Sequence, residues 1–195
     1  MKRFLLYTCL VGFTVGFFGG CSSKTAQVDS DTLKGEFKNA PNWVLSSDME
    51  GGLSAVGSAK IGNAGMAFAK TEAMTLGRDE ISRQMNVKVK SLVKNFTQVT
   101  GIGDDEVVDK VSSQVSKQVV KQVLSGSKQK NLWISPSNEL YVLVVVDPSI
   151  IKETIKNSVA TSYKNDEALW QQFQAKKAHE DLDKEIEKEF NDFKK

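Results

Sequence analysis

Histidine and cysteine are almost absent from this chain, which has one histidine and two cysteines among 195 residues. A catalytic triad needs a base beside its nucleophile, and a zinc site needs several nitrogen or sulfur ligands. His179, the only histidine, stands in a charged stretch, which is typical of a solvated surface residue. The sequence therefore predicts no catalytic residues, no metal site and no cofactor, and it favours a protein that is not an enzyme.

Three weaker patterns fit structural roles better than chemical ones. The glycines of residues 101–103 lack the preceding strand and the third glycine of a dinucleotide-binding loop. The acids of residues 104–106 are better placed to cap a helix than to hold a cation. The tryptophans are more typical of a core or an interface than of a ligand cage; they are Trp43, Trp133 and Trp170.

The chain begins with a segment typical of a secretory signal. Basic residues 2–3 precede an apolar run over residues 4–18, and a transmembrane helix needs about 20 apolar residues. The glycines at 19–20 are the small residues that a signal peptidase requires before its cleavage point. We predict that residues 1–20 are a cleaved lipoprotein signal peptide and that the thiol of Cys21 carries a diacylglyceryl group.

Lipidation at Cys21 has two alternatives, an ordinary cleaved signal and a membrane anchor with an incidental cysteine. Phe18 stands where such sites usually have leucine, which is the one departure from the pattern. Two or three acyl chains would give stable anchoring, since each buried CH₂ contributes about 0.8 kcal/mol. Ser22 is not the aspartate that favours inner-membrane retention in Gram-negative bacteria. We therefore expect the outer membrane, with the periplasmic or the surface face left open.

Positive charge is not in excess once the signal peptide is removed. The whole chain has 26 Lys and Arg against 24 Asp and Glu, and the signal peptide holds two of those cations and no acid. Nucleic-acid binding, which depends on a basic surface, is not expected. Cys9 also lies in the signal peptide, so the mature chain cannot form an internal disulfide.

The mature chain divides into three predicted parts. Residues 21–40 are polar and are predicted to be a flexible tether. Residues 41–163 are predicted to form one α+β domain, which Pro41 introduces and in which Trp43 is expected to be buried. Residues 164–195 are predicted to be a charged, amphipathic C-terminal helix.

The first half of the domain pattern predicts a strand and then a long helix. Residues 53–61 alternate, and Ala55, Gly57 and Ala59 share a face that would let a helix approach closely. Over residues 64–100 the apolar side chains recur at helical spacing. They are Ala69, Ala73, Leu76, Ile81, Met85, Val89, Leu92, Val93 and Phe96.

The second half of the pattern predicts a helix, a hairpin and a last helix. Valines recur every four residues from Val107 to Val123, which fits a helix despite their branching. Two strands follow, 128–134 and 139–146, joined by a turn, and the apolar run of the second indicates a central position. Asp147 and a proline after it begin the next helix. The fold class is thus α+β, with a small antiparallel sheet of about three strands in the order β-α-α-β-β-α.

The last part of the chain carries a second apolar stripe in densely charged sequence. Its members are Leu169, Phe173, Ala178, Leu182, Ile186, Phe190 and Phe193. A break is indicated at residues 164–166. A solitary helix with this stripe would leave aromatic rings in water, so it should pack on its own domain, on another copy or on a partner.

The order of the short motifs resembles that of a known family. Residues 41–44 (Pro-Asn-Trp-Val), the Ala- and Gly-rich strand 55–59, a helix with Arg78, and residues 141–145 (Tyr-Val-Leu-Val-Val) follow one another as in the twenty-kilodalton, LPP20-like, surface lipoproteins. The lipoprotein of the flagellar basal disk is related to that group. The resemblance covers roughly residues 21–160 and the signal peptide, and it leaves the C-terminal helix outside.

The resemblance implies a small domain with helices laid on an antiparallel sheet in a dodecin-like arrangement. It also implies no enzymatic activity, a tethered position in the outer membrane and self-association into a homo-oligomer. It supplies no catalytic residues, so Cys21 is the one position that it assigns. The partners to expect are the membrane, through the lipid on Cys21, and flagellar or peptidoglycan-associated envelope proteins.

Three functional hypotheses follow from the sequence. The leading one is a non-enzymatic outer-membrane lipoprotein with a structural or assembly role. The second, in the same compartment, is a flagellar basal-disk or motility lipoprotein. The third is a periplasmic module that binds a small apolar ligand between helix and sheet, in the room left by Ala55, Gly57 and Ala59.

Overall fold

The computed structural model describes residues 30–47 and 53–190, which form helices and one small sheet. The signal peptide, Cys21 and Phe193 lie outside these residues. The elements, in chain order, are α1 (Ser30–Phe37), α2 (Asn42–Leu45), β1 (Leu53–Lys60), α3 (Gly65–Thr100), α4 (Asp105–Gly126), β2 (Lys128–Ile134), β3 (Glu139–Val146), α5 (Pro148–Lys164), α6 (Glu167–Ala175) and α7 (Ala178–Glu189). The predicted α+β class and the predicted order from β1 to α5 are confirmed.

The sheet is antiparallel and has the strand order β1-β3-β2. The predicted hairpin of β2 and β3 is therefore confirmed, and so is the central position of β3. Gly57 lies opposite Val142 and Ala55 opposite Val144, which places these residues on one face. Val56 lies opposite Leu143 on the other face. We call the first face inner, because α3 packs on it, and the second outer.

The close approach of α3 to the inner face depends on two glycines. A Cβ atom on Gly57 would clash with the carbonyl oxygen of Ala73 and would lie 2.5 Å from the backbone nitrogen of Gly77. A Cβ atom on Gly77 would lie 2.6 Å from Cγ2 of Val144. Helix backbone thus packs directly on strand backbone. Leu76 is 48% exposed, so the prediction that it belongs to the buried stripe is wrong; Gly77 occupies that position.

Two capping residues join α3 to α4. Gly101 adopts the left-handed conformation at φ 61°, and its N–H donates to the carbonyl oxygen of Thr97. The carboxylate of Asp104 accepts from the N–H of Val107 and caps α4, as the sequence predicts. The buried valine stripe of α4 begins at Val108 and continues through Val123, while Val107 is half-buried.

The predicted start of α5 is confirmed. Asp147 accepts hydrogen bonds from the N–H and the hydroxyl of Ser149, and Pro148 stands at the first position of the helix. These hydroxyl and N–H contacts hold the pKa of the Asp147 carboxyl below its ordinary value. Tyr163 is fully buried near the end of α5, and burial raises the pKa of its phenol.

The C-terminal segment is two helices rather than one, and we call residues 166–190 the C-terminal hairpin. Asp166 accepts from the N–H of Leu169 and starts α6 after the predicted interruption. A second break follows at Lys177, whose φ of 51° is left-handed and turns the chain before α7. The apolar stripe of the C-terminal hairpin packs on α3 and α5 of the same domain. Of the three packing alternatives, the described residues show the first.

Part of the predicted tether is helical. Residues 30–37 form α1, whereas α2, at residues 42–45, lies within the predicted domain. Pro41 precedes α2 as expected. Trp43 is only half-buried, and the buried residue of this short helix is Val44.

Candidate functional site

The outer face of the sheet lies on the side opposite α3. It carries Val56, Leu143 and Tyr141, and Trp133 of β2 lies opposite Tyr141. Leu143 is 0% exposed although it does not belong to the main core cluster. Another part of the chain must therefore cover it.

The cover is formed by residues 30–47, which we call the N-terminal strap. The ring of Phe37 stacks on Trp133 at 6.4 Å between centroids and meets Tyr141 edge-on at 6.0 Å. Val44 of α2 is buried, and α2 packs against β3. Burial in this cluster raises the pKa of the Tyr141 phenol. The strap is thus an apolar cover with an aromatic contact at one end.

One carboxylate fastens the strap to the β2–β3 turn. The hydroxyl of Ser137 donates to the Glu36 carboxylate at 2.7 Å. The hydroxyls of Ser135 and Ser137 hold the pKa of the Glu36 carboxyl below its ordinary value, because they stabilise its charged form. Near β1, the Ser54 hydroxyl donates to the carbonyl oxygen of Ser47. The strap therefore contacts the sheet and its turn at Glu36 and Phe37, and it contacts β1 again at Ser47.

His179 and the acids of residues 104–106 lie on different helices. His179 is exposed, and its ring lies edge-on to Phe173 at a centroid distance of 4.8 Å. The acids 104–106 lie at the start of α4, where Asp104 is the cap. Within residues 30–47 and 53–190, no group of three or more histidines, cysteines or acids could hold a metal ion.

The space proposed for a ligand between helix and sheet is filled. The space at Gly57 of β1 is taken up by the backbone of α3 at Ala73 and Gly77. Ala55 and Ala59 are 1% and 5% exposed and belong to the main core cluster. Their small size has a packing cause, so the basis of the ligand-binding hypothesis is removed.

An open cleft lies between α4 and α5. It has amide side chains on both walls, Gln118 and Gln122 from α4 and Asn157 from α5, with Glu153 and Ile150 beside them. Hydroxyl side chains from both helices complete the lining, which can hydrogen-bond a neutral polar group.

The C-terminal hairpin is held by apolar and by ionic contacts. The ring of Phe173 packs against Phe96 and Tyr163 at 5.8 and 5.5 Å between centroids. Lys156 of α5 pairs with Asp183 of α7 at 2.7 Å. The ammonium of Lys176 donates to the carbonyl oxygen of Thr100 at 2.5 Å, where a cation complements the helix dipole of α3.

The strap is the feature that sequence reasoning missed. Its α1 is eight residues long, which is too short for a clear apolar period. The available signal was the four-residue spacing of Leu33 and Phe37, followed by the apolar residues at 43–45. Among the helices of the described residues, none is long and apolar enough to cross a membrane.

The family model of LPP20 lipoprotein matches residues 41–147, from the proline before α2 to the cap of α5. The match covers α2, the whole sheet, α3 and α4, and it ends before α5 and the C-terminal hairpin. No curated protein matches the chain.

Proposed function

Because the chain belongs to the LPP20 lipoprotein family, we propose that it is a lipid-anchored protein of the outer membrane with a structural or assembly role. The family supports the coarser statement, a lipoprotein anchored to an envelope membrane. The site of attachment proposed is Cys21, whose sequence context is that of a lipoprotein signal. The outer membrane is proposed because the residue after Cys21 is Ser22 and not the aspartate that favours retention in the inner membrane.

A non-enzymatic role is supported by how the described side chains are arranged. Two buried polar side chains, Thr97 and Ser135, hydrogen-bond within the fold, Thr97 with the phenol of Tyr163 and Ser135 with the N–H of Glu139. The open cleft between α4 and α5 carries amides, hydroxyls and one carboxylate. A surface of this kind suits binding to another macromolecule, and self-association is the form we propose.

The experiment is fractionation of cells that carry the wild-type chain or Cys21→Ala. We expect the wild-type chain in the outer-membrane fraction and the variant in the soluble or inner-membrane fraction, because the variant lacks the thiol to be acylated. Ser22→Ala, which keeps the cysteine, is the matched control and should behave as wild type. An unchanged membrane fraction for Cys21→Ala would contradict the proposal.

The assembly role is tested on the same membranes with an amine-reactive crosslinker. The crosslinker can react with lysines that are spread over the exposed surface of the described residues. If copies of the chain associate, we therefore expect crosslinked multimers. If only monomers are found across a range of crosslinker concentrations, self-association is rejected. The proposal of a lipid anchor would not be affected by that result.

A further inference from the structure

The strap differs from the rest of the molecule in how it is fixed. Its helices are eight and four residues long, and helices shorter than about 12 residues are marginal in water unless they are packed. Its contacts include the Phe37 aromatic cluster, the Glu36 hydrogen bond, the buried Val44 and the bond from Ser54. Leu45 is 70% exposed, so the strap is only partly embedded.

The surface under the strap is separate from the main core. Leu143 and Val44 are both buried but lie outside the core cluster that joins the inner face to the helices. The inner face, α3 and α4 form that cluster without any strap residue. Lifting the strap would therefore expose the outer face and leave the main core packed.

We propose that the strap is a latch that opens without unfolding the domain and that sets how far the domain reaches from the membrane. This inference rests on the proposed lipid attachment at Cys21. Closed, the latch fixes the chain to the sheet at Glu36 and Phe37. Open, the whole segment before β1 becomes part of the tether.

The two states differ greatly in reach. From Cys21 to Ser30 an extended chain spans at most about 30 Å, whereas from Cys21 to Leu53 it spans about 110 Å. The average end-to-end distance of a flexible chain rises less, from about 16 Å to about 31 Å. The closed latch thus keeps the domain at the membrane, and the open latch lets it contact structures several nanometres away.

The closed state has a definite cause. Opening exposes Leu143 and the rings of Tyr141 and Trp133, and burial of apolar area opposes that. It also removes the hydroxyl partner of the Glu36 carboxylate, which water replaces at little cost because the carboxylate is at the surface. Apolar contact is therefore the main closing force, and Phe37 is its largest described contributor within the strap.

Hydrogen exchange of the full-length, membrane-extracted protein tests the opening itself. In the wild type we expect amides of residues 34–40 to exchange at least about 100-fold faster than those of β3. Phe37→Ala should raise exchange in the strap about tenfold further and leave α3 and β3 unchanged. Ser137→Ala removes the hydrogen bonds of its hydroxyl to Glu36 and Ser135 and no apolar contact of the strap, and should give a smaller increase. Phe68→Ala, at a site 61% exposed, is the matched control.

Two results of this exchange experiment would overturn the latch. One is equal protection of the strap and β3 in the wild type, since the strap would then open only with the sheet. The other is a loss of protection in α3 and β3 together with the strap in Ser137→Ala. This arm does not depend on acylation, so a failure of the lipid anchor leaves it interpretable.

Neutron reflectometry on supported bilayers tests the reach. The gap between bilayer and domain should be larger in Phe37→Ala than in a closed form, because the latch of the variant opens more often. The closed form is the double variant Glu36→Cys and Ser137→Cys joined by a short bis-maleimide. An equal gap in both forms would overturn the proposal, and so would crosslinked dimers in place of monomers, because the strap would then sit on a neighbouring copy. Failure of the chain to stay on the bilayer contradicts the anchor instead.

Discussion

The two segments that flank the domain are attached to it in different ways. The C-terminal hairpin places Phe173, Leu182 and Phe190 at 0% exposure within the main core cluster. The N-terminal strap has one buried residue among its described side chains, Val44, and leaves Leu45 exposed. The hairpin is thus part of the core, and the strap is a cover laid on the sheet.

The hairpin shows that the end of the family match does not coincide with the end of the folded core. The family match ends at residue 147, yet α5 and the hairpin supply Ile155, Tyr163 and Phe173 to the same core. A helix that the match leaves out packs on one that it includes, since Phe173 touches Phe96. We therefore expect residues 41–147 alone to lack part of the core on which α3 and α4 depend.

The largest effect that sharpens this comparison is expected from Phe173→Ala. Its ring is fully buried between Phe96, Tyr163 and Trp170, and truncation of such a ring costs about 3–5 kcal/mol of unfolding free energy. Chemical denaturation followed by far-UV circular dichroism measures it.

The control for that experiment is Phe68→Ala, which removes the same ring from a site 61% exposed. Its cost should stay within about 0.5 kcal/mol. If Phe173→Ala costs no more than this control, the hairpin is not part of the core and the comparison fails.

A smaller effect is expected from the ionic contact between α5 and α7. Asp183→Asn removes the partner of Lys156, but both side chains are about half exposed. Such pairs contribute about 0–1 kcal/mol, and salt screens them. Unfolding free energy should therefore fall by about 0.5 kcal/mol at low salt and by less at 1 M salt. A loss that is large and independent of salt would show that Asp183 has a packing role.

The smallest effect concerns the strap and pH. The pKa of the Glu36 carboxyl is lower in the docked strap than in the free chain, through the hydroxyls of Ser135 and Ser137. Docking is thus favoured above the free-chain pKa, and this contribution is lost as pH falls through the docked pKa. Hydrogen exchange of residues 34–40 should become faster at acid pH relative to β3, after correction for the intrinsic rate. Glu36→Gln should remove the dependence, and its persistence in that variant would assign it to another group.

The helices that were predictable from sequence share a long, regular apolar period, as in the stripes of α3, α4 and the hairpin. The strand β3 was predictable from a continuous apolar run instead. Leu76 was misplaced because a search for apolar side chains passes over Gly77, the residue that contacts the sheet. The turn at Lys177 was missed because lysine gives no signal for a left-handed residue.

The candidate site was less predictable, for a physical reason. The strap is stabilised by tertiary contact with Trp133 and Tyr141, which lie about a hundred residues later in the chain. Helices this short contain too few residues for an apolar period that would predict such a contact. Cys21, in contrast, was predicted from local sequence alone, because peptidase and acyl transfer depend on adjacent residues.

The two flanking segments also differ in their position relative to the proposed lipid anchor, because only the strap lies between Cys21 and the sheet. The most direct test is the intact mass of the protein extracted from outer membranes with detergent. We predict a chain that begins at Cys21 and carries a diacylglyceryl group, with or without a further acyl chain. A chain that begins elsewhere, or one that begins at Cys21 without acyl mass, would contradict the account.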